Sequence, residues 1–294
     1  MAIYTMKEGI VDKAVESLLG CRTGISTGFK DLDRYLEGGF QEGYLYVLGA
    51  RPVMGKTSLA LSMAANMCKS GKKVLYYSLG LNAENLSKRL IMILAGDNKD
   101  EYEKTADQIK DYRMVIDDSP NAPVEIIGNY TCDGIVIDDA EIIIIDYLQL
   151  LDVAMDWHGT DADFDHVKYS RICTTLKELA WKKRIPIVLL SQLSRTLEKR
   201  PRHDRRPRMV DLHEYNKVAE LADVVMFLYR DEYYYADTEL KGIAEVIVSK
   251  NVTGVSGTCR LANVGYGRYY PIFAEQSEGW WNSFGMKYGK SNTT

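Results

Sequence analysis

The stretch YLYVLGARPVMGKTS, residues 44–58, decides the fold of this chain. Its first part, residues 44–48, is a short apolar run with aromatic and β-branched members, which predicts a buried strand. Residues 58–67 carry apolar side chains at helical spacing, so a helix should follow. The segment between these elements is a glycine-containing loop. Strand, loop and helix in this order are typical of a site that binds phosphate groups.

The loop, residues 50–57, has the pattern G-x-x-x-x-G-K-S/T, with Ala50 in the first glycine position. The backbone N–H groups of such a loop converge on phosphate oxygens. Gly55 lets the backbone approach closely, Lys56 neutralises phosphate charge, and the hydroxyl of Thr57 is a ligand for Mg²⁺. The predicted nucleotide-binding residues are Ala50, Arg51, Pro52, Val53, Met54, Gly55, Lys56, Thr57 and Ser58.

The composition is that of a soluble globular protein. The chain has 294 residues, of which 46% are hydrophobic and 27% charged, enough for one large α/β domain or two small ones. The net charge of −4 excludes nucleic-acid binding by total charge alone, so such binding requires a local basic patch. The five cysteines lack close pairs, which favours reduced thiols and a cytoplasmic location. No apolar run is long enough to span a membrane.

Further apolar runs alternate with helical patterns along the chain. The four consecutive isoleucines before Asp146 predict a strand covered on both faces, as in a parallel sheet. Asp146 is either a carboxylate that acts on Mg²⁺, directly or through water, or a turn residue at the strand end. Another strand delivers Gln192 at its end. The predicted fold is a doubly wound α/β sheet, mostly parallel, with the ligand at its carboxyl edge. The strands are predicted at 73–79, 114–116, 141–148, 186–191, 222–229 and 243–249, and the helices at 83–95 and 172–181.

Several segments occur in the order found in one family. The chain resembles the C-terminal motor domain of DnaB-type replicative helicases, which has a RecA-like P-loop NTPase fold. The resemblance covers about residues 6–260, most of the chain. The matching segments are TGFKDLD, ARPVMGKTSLAL, IIIIDYLQLL, SRICTTLKELAWKKRIPIVLLSQLSR, DLHE, ADVVMFLYRDEYY and KGIAEVIVSKN.

The resemblance implies an ATP-driven hexameric ring that moves along single-stranded DNA, with a primase or a helicase loader as further partners. An amphipathic pattern at residues 6–19 stands in the place of the family's linker helix, which packs on the neighbouring subunit. We therefore expect a linker region at residues 1–22 and a RecA-like ATPase domain at residues 23–294. The family's N-terminal domain has no counterpart here, so the sequence is either naturally short or trimmed.

The resemblance also assigns roles to single residues. Lys56 and Thr57 hold phosphate and Mg²⁺, which makes ATP and Mg²⁺ the expected cofactors. Asp146 is the Walker-B acid. Gln192 is the sensor that couples the γ-phosphate to the DNA-binding loop. Lys250 stands where the family reaches the γ-phosphate bound by a neighbouring subunit.

Two positions depart from the family pattern. The family's Ser-Leu-Glu-Met stretch, whose glutamate orients the attacking water, is Ser-Leu-Gly-Leu here, with Gly80 in place of the glutamate. The family's arginine finger is replaced by Val252. Such fingers accelerate hydrolysis by roughly a thousandfold or more, so we expect impaired hydrolysis unless another carboxylate or Lys250 substitutes. The alternative function is a non-hydrolysing ATP-binding scaffold of a helicase or recombination assembly.

A basic segment follows Gln192 at residues 195–208, with seven positive and two negative side chains. In a RecA-like fold this position faces the channel of the ring, so the segment is expected to contact DNA phosphates without reading sequence. The alternative is a solvated charge run. An acidic run at residues 152–166, expected to be the companion loop, would repel phosphate and so weakens the prediction of DNA binding, unless its side chains point away from the channel. The predicted DNA-binding residues are Arg195, Lys199, Arg200, Arg202, Arg205, Arg206 and Arg208.

Overall fold

The computed structural model describes most of the predicted ATPase domain. The linker helix predicted at residues 6–19 lies outside the described residues except for Val15, and so does the chain after residue 272. Arg202, one of the predicted DNA-binding residues, is also outside them. The described residues are Val15 and residues 24–120, 123–127, 131–132, 135–136, 139–154, 161–201 and 204–272.

Strands and helices alternate as predicted. The strands are β1 (Leu45–Ala50), β2 (Val74–Ser78), β3 (Met114–Asp117), β4 (Thr131–Cys132), β5 (Ile135–Val136), β6 (Ile142–Asp146), β7 (Ile187–Gln192), β8 (Val224–Tyr229), β9 (Ile243–Asn251), β10 (Gly257–Asn263) and β11 (Tyr269–Pro271). The helices are α1 (Lys30–Tyr35), α2 (Lys56–Lys69), α3 (Ala83–Ala95), α4 (Tyr102–Lys110), α5 (Asp161–Lys183) and α6 (Asn216–Leu221). Short 3₁₀ helices include Leu148–Leu150, Arg195–Lys199 and Met209–Tyr215.

Among the described residues, nine strands form one sheet in the order β11-β10-β9-β8-β1-β7-β6-β2-β3. The strands from β8 to β3 in this order are parallel, whereas β9, β10 and β11 are antiparallel. The prediction of a mostly parallel sheet flanked by helices is confirmed. The strand pairing places Ala50 beside Gln192 and Ser78 beside Asp146, so the ends of four strands meet at one edge.

The core lies on both faces of the sheet because successive side chains of a strand point to opposite sides. Ile142 and Ile144 belong to the cluster that packs against α2, whereas Ile143 and Ile145 belong to the cluster that packs against α5. This alternation is the reason why four consecutive isoleucines are needed in β6. All four are buried, as the sequence predicted for a strand covered on both faces.

One prediction about the acidic run is wrong in extent. Residues 152–166 are expected to be a loop, but α5 already begins at Asp161, eleven residues before the predicted helix start. The first turns of α5 are polar and lack the apolar periodicity on which the prediction relied. None of the described helices is both long and apolar enough to cross a membrane.

Candidate functional site

The carboxyl ends of β1, β6 and β7 open into a cavity of about 640 Å³. The cavity brings together the loop after β1, Asp146 and Gln192, as the sequence predicts. Helix α3 forms the opposite wall. Two predicted nucleotide-binding residues, Ala50 and Met54, are buried and do not line the cavity. The lining residues are Arg51, Pro52, Val53, Gly55, Lys56, Thr57, Ser58, Leu81, Asn85, Lys88, Arg89, Met92, Asp146, Tyr147, Gln192 and Tyr266.

The loop between β1 and α2 is shaped by its glycine. Gly55 has φ = 96°, in the left-handed region that glycine adopts without strain, and α2 begins at the next residue. A Cβ atom at Gly55 would lie 2.2 Å from the hydroxyl oxygen of Tyr269, which donates a hydrogen bond to the Gly55 carbonyl at 3.2 Å. This position therefore requires glycine for two independent reasons. The first residues of α2, Lys56 to Ser58, line the cavity, where the free N–H groups of a helix start can bind an anion.

Lys56 is a desolvated cation in this cavity. Its Nζ atom lies 4.8 Å from the centroid of the Tyr147 ring, and no ion pair or hydrogen bond holds it among the described residues. Burial lowers the pKa of Lys56 to about 8, and the charge of Asp146 opposes this shift in part. A cation buried without a bonded anion fits a cavity that receives phosphate.

Asp146 is a buried carboxylate that is held on one side. The hydroxyl of Tyr76, a residue of β2, donates a hydrogen bond to its Oδ2 atom at 3.0 Å. Oδ1 accepts no hydrogen bond within the part of the chain that the structure describes, so it is free to bind a cation. Thr57 lines the same cavity, and a hydroxyl, one carboxylate and phosphate oxygens form a ligand set that suits Mg²⁺.

Gln192 is held by Gln149, a residue of the 3₁₀ helix after β6. The side-chain oxygen of Gln149 accepts a hydrogen bond from the Gln192 backbone N–H at 3.1 Å. Its Nε2 atom donates to the Gln192 carbonyl oxygen at 3.0 Å. These two bonds fix the backbone at the end of β7, so that the Gln192 side chain stands at the cavity.

Arg51 directs its side chain away from the loop. The guanidinium is buried, donates to the carbonyl oxygen of Leu193 at 2.7 Å and forms an ion pair with Glu198, also at 2.7 Å. The side chain is therefore fully engaged outside the phosphate-binding loop. Any contact of Arg51 with phosphate comes from its backbone.

The two positions that depart from the family pattern lie in accessible places. Gly80 follows β2 in a turn, and a Cβ atom there would lie 3.4 Å from the Tyr147 ring, an ordinary contact distance. Val252 is exposed at the end of β9. Lys250 donates hydrogen bonds to the carbonyl oxygens of Ala219 and Glu220 at 3.0 and 2.8 Å, where its charge suits the C-terminus of α6.

The basic segment is partly neutralised within the fold. Arg195 and Lys199 are exposed and have no ion pair or hydrogen bond among the described residues. The other predicted DNA-binding residues whose side chains the structure describes already have partners within the fold. Arg200 pairs with Asp211, Arg206 with Glu245 and Arg208 with Asp204, and Arg205 lies over the ring of Tyr234. Fewer positive charges are therefore available to a ligand than the number of basic residues in the segment suggests.

Several residues of the site were not predicted from the sequence. Tyr76 and Gln149 lie in segments that the prediction used only for their strand or family pattern. Arg89 lines the cavity from α3 without a hydrogen bond or ion pair in the described part of the chain, and Tyr266 lies at its rim. The helical spacing of Asn85, Arg89 and Met92 is a signal that could have indicated which face of α3 meets the ligand.

Comparisons with known proteins agree with this geometry. Residues 24–269 match the family model of the DnaB-like helicase C terminal domain. The replicative DNA helicase DnaB of Geobacillus stearothermophilus is 35% identical over 262 residues, which cover 82% of this chain and 54% of that protein. DnaB of Haemophilus influenzae is 36% identical over 277 residues, 87% of this chain and 57% of that protein. The chain thus spans little more than half the length of these relatives.

Solved structures give the same result. One solved structure, described as an ATPase domain, superposes with a TM-score of 0.80 and 30% identity, covering 92% of this chain and all of that chain. A DnaB-like replicative helicase, solved to describe its interactions with primase, gives a TM-score of 0.78 and 28% identity, over 92% of this chain and 68% of that one. The RadB recombinase, with 19% identity and a TM-score of 0.54, shares the fold alone. With its cavity, its sheet order and these matches, the chain belongs to the DnaB-like helicase C-terminal domain family.

Proposed function

We propose that this chain binds Mg²⁺–ATP in the cavity and acts as the motor domain of a replicative DNA helicase. In this proposal it works as a hexameric ring that moves along single-stranded DNA. The observation that supports it best is the meeting of Lys56, Asp146 and Gln192 at one cavity beside a phosphate-binding loop. The relatives of known function are named replicative DNA helicases.

Each group in the cavity has a part in holding the nucleotide. Lys56 and the N–H groups at the start of α2 bind the terminal phosphates. Thr57 and Asp146 would hold Mg²⁺, which neutralises charge on the phosphates when bound. Gln192 senses the terminal phosphate. Met92 and Tyr266, at the rim of the cavity, offer apolar surface to the base.

DNA contact is proposed for the exposed part of the basic segment. Arg195 and Lys199 carry the free charges that phosphate contacts need. They follow Gln192 by three and seven residues, so the nucleotide and DNA sites are neighbours in this proposal. Residues 1–22 serve as the linker to the neighbouring subunit, with Lys250 directed to that subunit's nucleotide once the ring has formed.

Slow hydrolysis is part of the proposal because Asp146 is the single carboxylate among the described residues that line the cavity. Gly80 offers no base and Val252 no charge to the reaction. We expect steady-state phosphate release below about 1 s⁻¹ with single-stranded DNA present, under the ordinary range of enzymes. Faster turnover at micromolar protein would contradict this part of the proposal.

The presence of a single carboxylate among the described lining residues also favours a second candidate, the non-hydrolysing ATP-binding scaffold. A forked DNA substrate distinguishes the two functions. Strand separation that requires ATP supports the motor. Assembly that depends on ATP, without strand separation or phosphate release, supports the scaffold.

Partners and location are proposed from the family. One solved relative was described together with primase, and we propose a primase or a helicase loader as the partner of the assembled ring. We place the protein in the cytoplasm, since Cys68, Cys173 and Cys259 are free and buried thiols. Co-purification of a primase with the assembled ring tests the partner.

A further inference from the structure

One ion pair joins the phosphate-binding loop to the basic segment. The Nε and Nη2 atoms of Arg51 donate to the Oε1 atom of Glu198 at 3.0 and 2.7 Å. The Arg51 side chain is only 6% exposed, whereas that of Glu198 is 41% exposed. The buried partner thus belongs to the loop, and the partner in contact with solvent belongs to the basic segment.

The two residues of this ion pair belong to different binding sites in the proposed function. Arg51 is the second residue of the loop that receives phosphate. Glu198 lies in the 3₁₀ helix Arg195–Lys199, between the two exposed cations proposed to contact DNA. A cleft of about 510 Å³ is lined by Arg51 and Gln192, which also line the nucleotide cavity, and by Arg195 of the basic segment. The ion pair is a direct contact between the phosphate-binding loop and this 3₁₀ helix.

We propose that Glu198 is a positioning residue that transmits nucleotide occupancy from the loop to the 3₁₀ helix Arg195–Lys199. This inference rests on the proposed binding of nucleotide to the loop. The Arg51–Glu198 contact is separate from Gln192, which connects to the basic segment through the polypeptide backbone. The coupling needs no rearrangement beyond a shift of the loop.

The physical reason is the unequal burial of the two partners. The Arg51 guanidinium is a rigid planar donor. Its removal from Glu198 would leave a buried charge whose one remaining acceptor among the described residues is the Leu193 carbonyl. When bound phosphate draws the loop backbone toward itself, the exposed Glu198 therefore moves with Arg51. The displacement passes to Arg195 and Lys199, which lie in the same short helix as Glu198.

Hydrogen exchange tests this contact without any DNA. Amide exchange at residues 193–200 is measured with and without a slowly hydrolysed ATP analogue and Mg²⁺, in the wild-type chain and in Glu198→Ala. Nucleotide affinity is measured on the same samples by fluorescence. The matched control is Glu101→Ala, which removes an exposed carboxylate of similar accessibility, 44%, paired with Lys104 at 3.2 Å.

We expect nucleotide to change exchange at these amides by about fivefold or more, the lower end of ordinary coupling between sites. The same change is expected in Glu101→Ala, and less than about a twofold change in Glu198→Ala at unaltered nucleotide affinity. A wild-type response that survives in Glu198→Ala overturns the inference, and so does bound nucleotide without any response in the wild type. Failure of the wild type to bind nucleotide overturns the proposed function itself.

A second readout follows from linkage. If the analogue changes the affinity for single-stranded DNA in the wild type, the ratio of the two dissociation constants measures the coupling. Glu198→Ala should bring that ratio close to one, measured at a temperature at which both proteins are fully folded. A merely structural role of Glu198 would lower the melting temperature and leave the ratio unchanged, which contradicts the inference.

Discussion

At the scale of single residues, the charge state of Lys56 determines how strongly the cavity binds phosphate. Burial has lowered its pKa to about 8 in the free protein, so near neutral pH the side chain is charged but poorly solvated. Phosphate compensates for the lost solvation and raises the pKa again. The group that binds the nucleotide is thereby also the group that makes binding depend on pH.

We predict that nucleotide binding takes up a proton and weakens above pH 8. At pH 9 about nine-tenths of Lys56 is uncharged in the free protein, so the affinity should be about tenfold lower than at pH 7. Titration calorimetry at both values, in two buffers with different ionisation enthalpies, measures the affinity and the proton uptake. Lys56→Met should bind weakly and without this pH dependence. Equal affinity of the wild type at pH 7 and 9 would disagree with the assigned role.

Gly80 provides the second prediction at this scale. Because Gly80 is exposed and a Cβ atom there would meet only ordinary contacts, Gly80→Glu should fold normally. A carboxylate there can orient the attacking water, so phosphate release should rise by about a hundredfold, the lower end of what a positioned base contributes. Gly80→Gln is the control of equal size without a base. If both variants release phosphate equally fast, the missing glutamate is not what limits hydrolysis.

At the scale of elements, the register of the sheet builds the site. β1 pairs with β7 so that Ala50 lies beside Gln192, and β2 pairs with β6 so that Ser78 lies beside Asp146. The sequence predicts these strands because their residues are apolar and end at polar groups. It also predicts that parallel strands bring those polar groups to one edge.

The hydrogen bonds that hold these groups were beyond prediction. In the sequence, Tyr76 cannot be distinguished from the apolar residues of β2. Its hydrogen bond to Asp146 depends on which strand lies next to β2 in the sheet. Gln149 is also polar without a visible partner in the sequence. For the same reason a count of charges in the basic segment does not show that carboxylates neutralise three of its arginines once the chain has folded.

We predict that the exposed cations of the basic segment make DNA binding depend on salt concentration. Arg195→Ala with Lys199→Ala should weaken binding of single-stranded DNA and reduce the slope of log K against log salt by about 1.4, since each phosphate contact contributes about 0.7. Arg206→Ala is the comparison, because Arg206 is paired with the buried Glu245. It should cost about 1 kcal/mol of folding stability and leave the salt slope unchanged. A larger loss of DNA binding in Arg206→Ala than in the double variant would contradict the assignment.

At the scale of the whole molecule, the proposed ring would complete the nucleotide site with residues of a neighbouring subunit. Lys250 on β9 and Val252 just after it do not line the protomer's own cavity, and we propose that they face a neighbouring subunit. The ring is therefore part of the function that we propose. Composition and periodicity carry no information on ring size, and the expectation of six subunits comes from the family alone.

We predict that nucleotide promotes assembly of the ring. Sedimentation velocity with Mg²⁺ and a slowly hydrolysed ATP analogue should show a species of about six times the protomer mass of 33.3 kDa. Lys56→Met, which lacks the phosphate contact, should sediment as smaller species under the same conditions. A wild-type protein that stays monomeric with bound nucleotide would exclude a ring formed by this chain alone.

Nucleotide binding in the cavity is best tested by a crystal structure with Mg²⁺ and a non-hydrolysable ATP analogue. It should show the terminal phosphate between Lys56 and Gln192, with Mg²⁺ held by Thr57 on the side of Asp146. An empty cavity, or a nucleotide bound elsewhere on the chain at saturating concentration, would contradict the account.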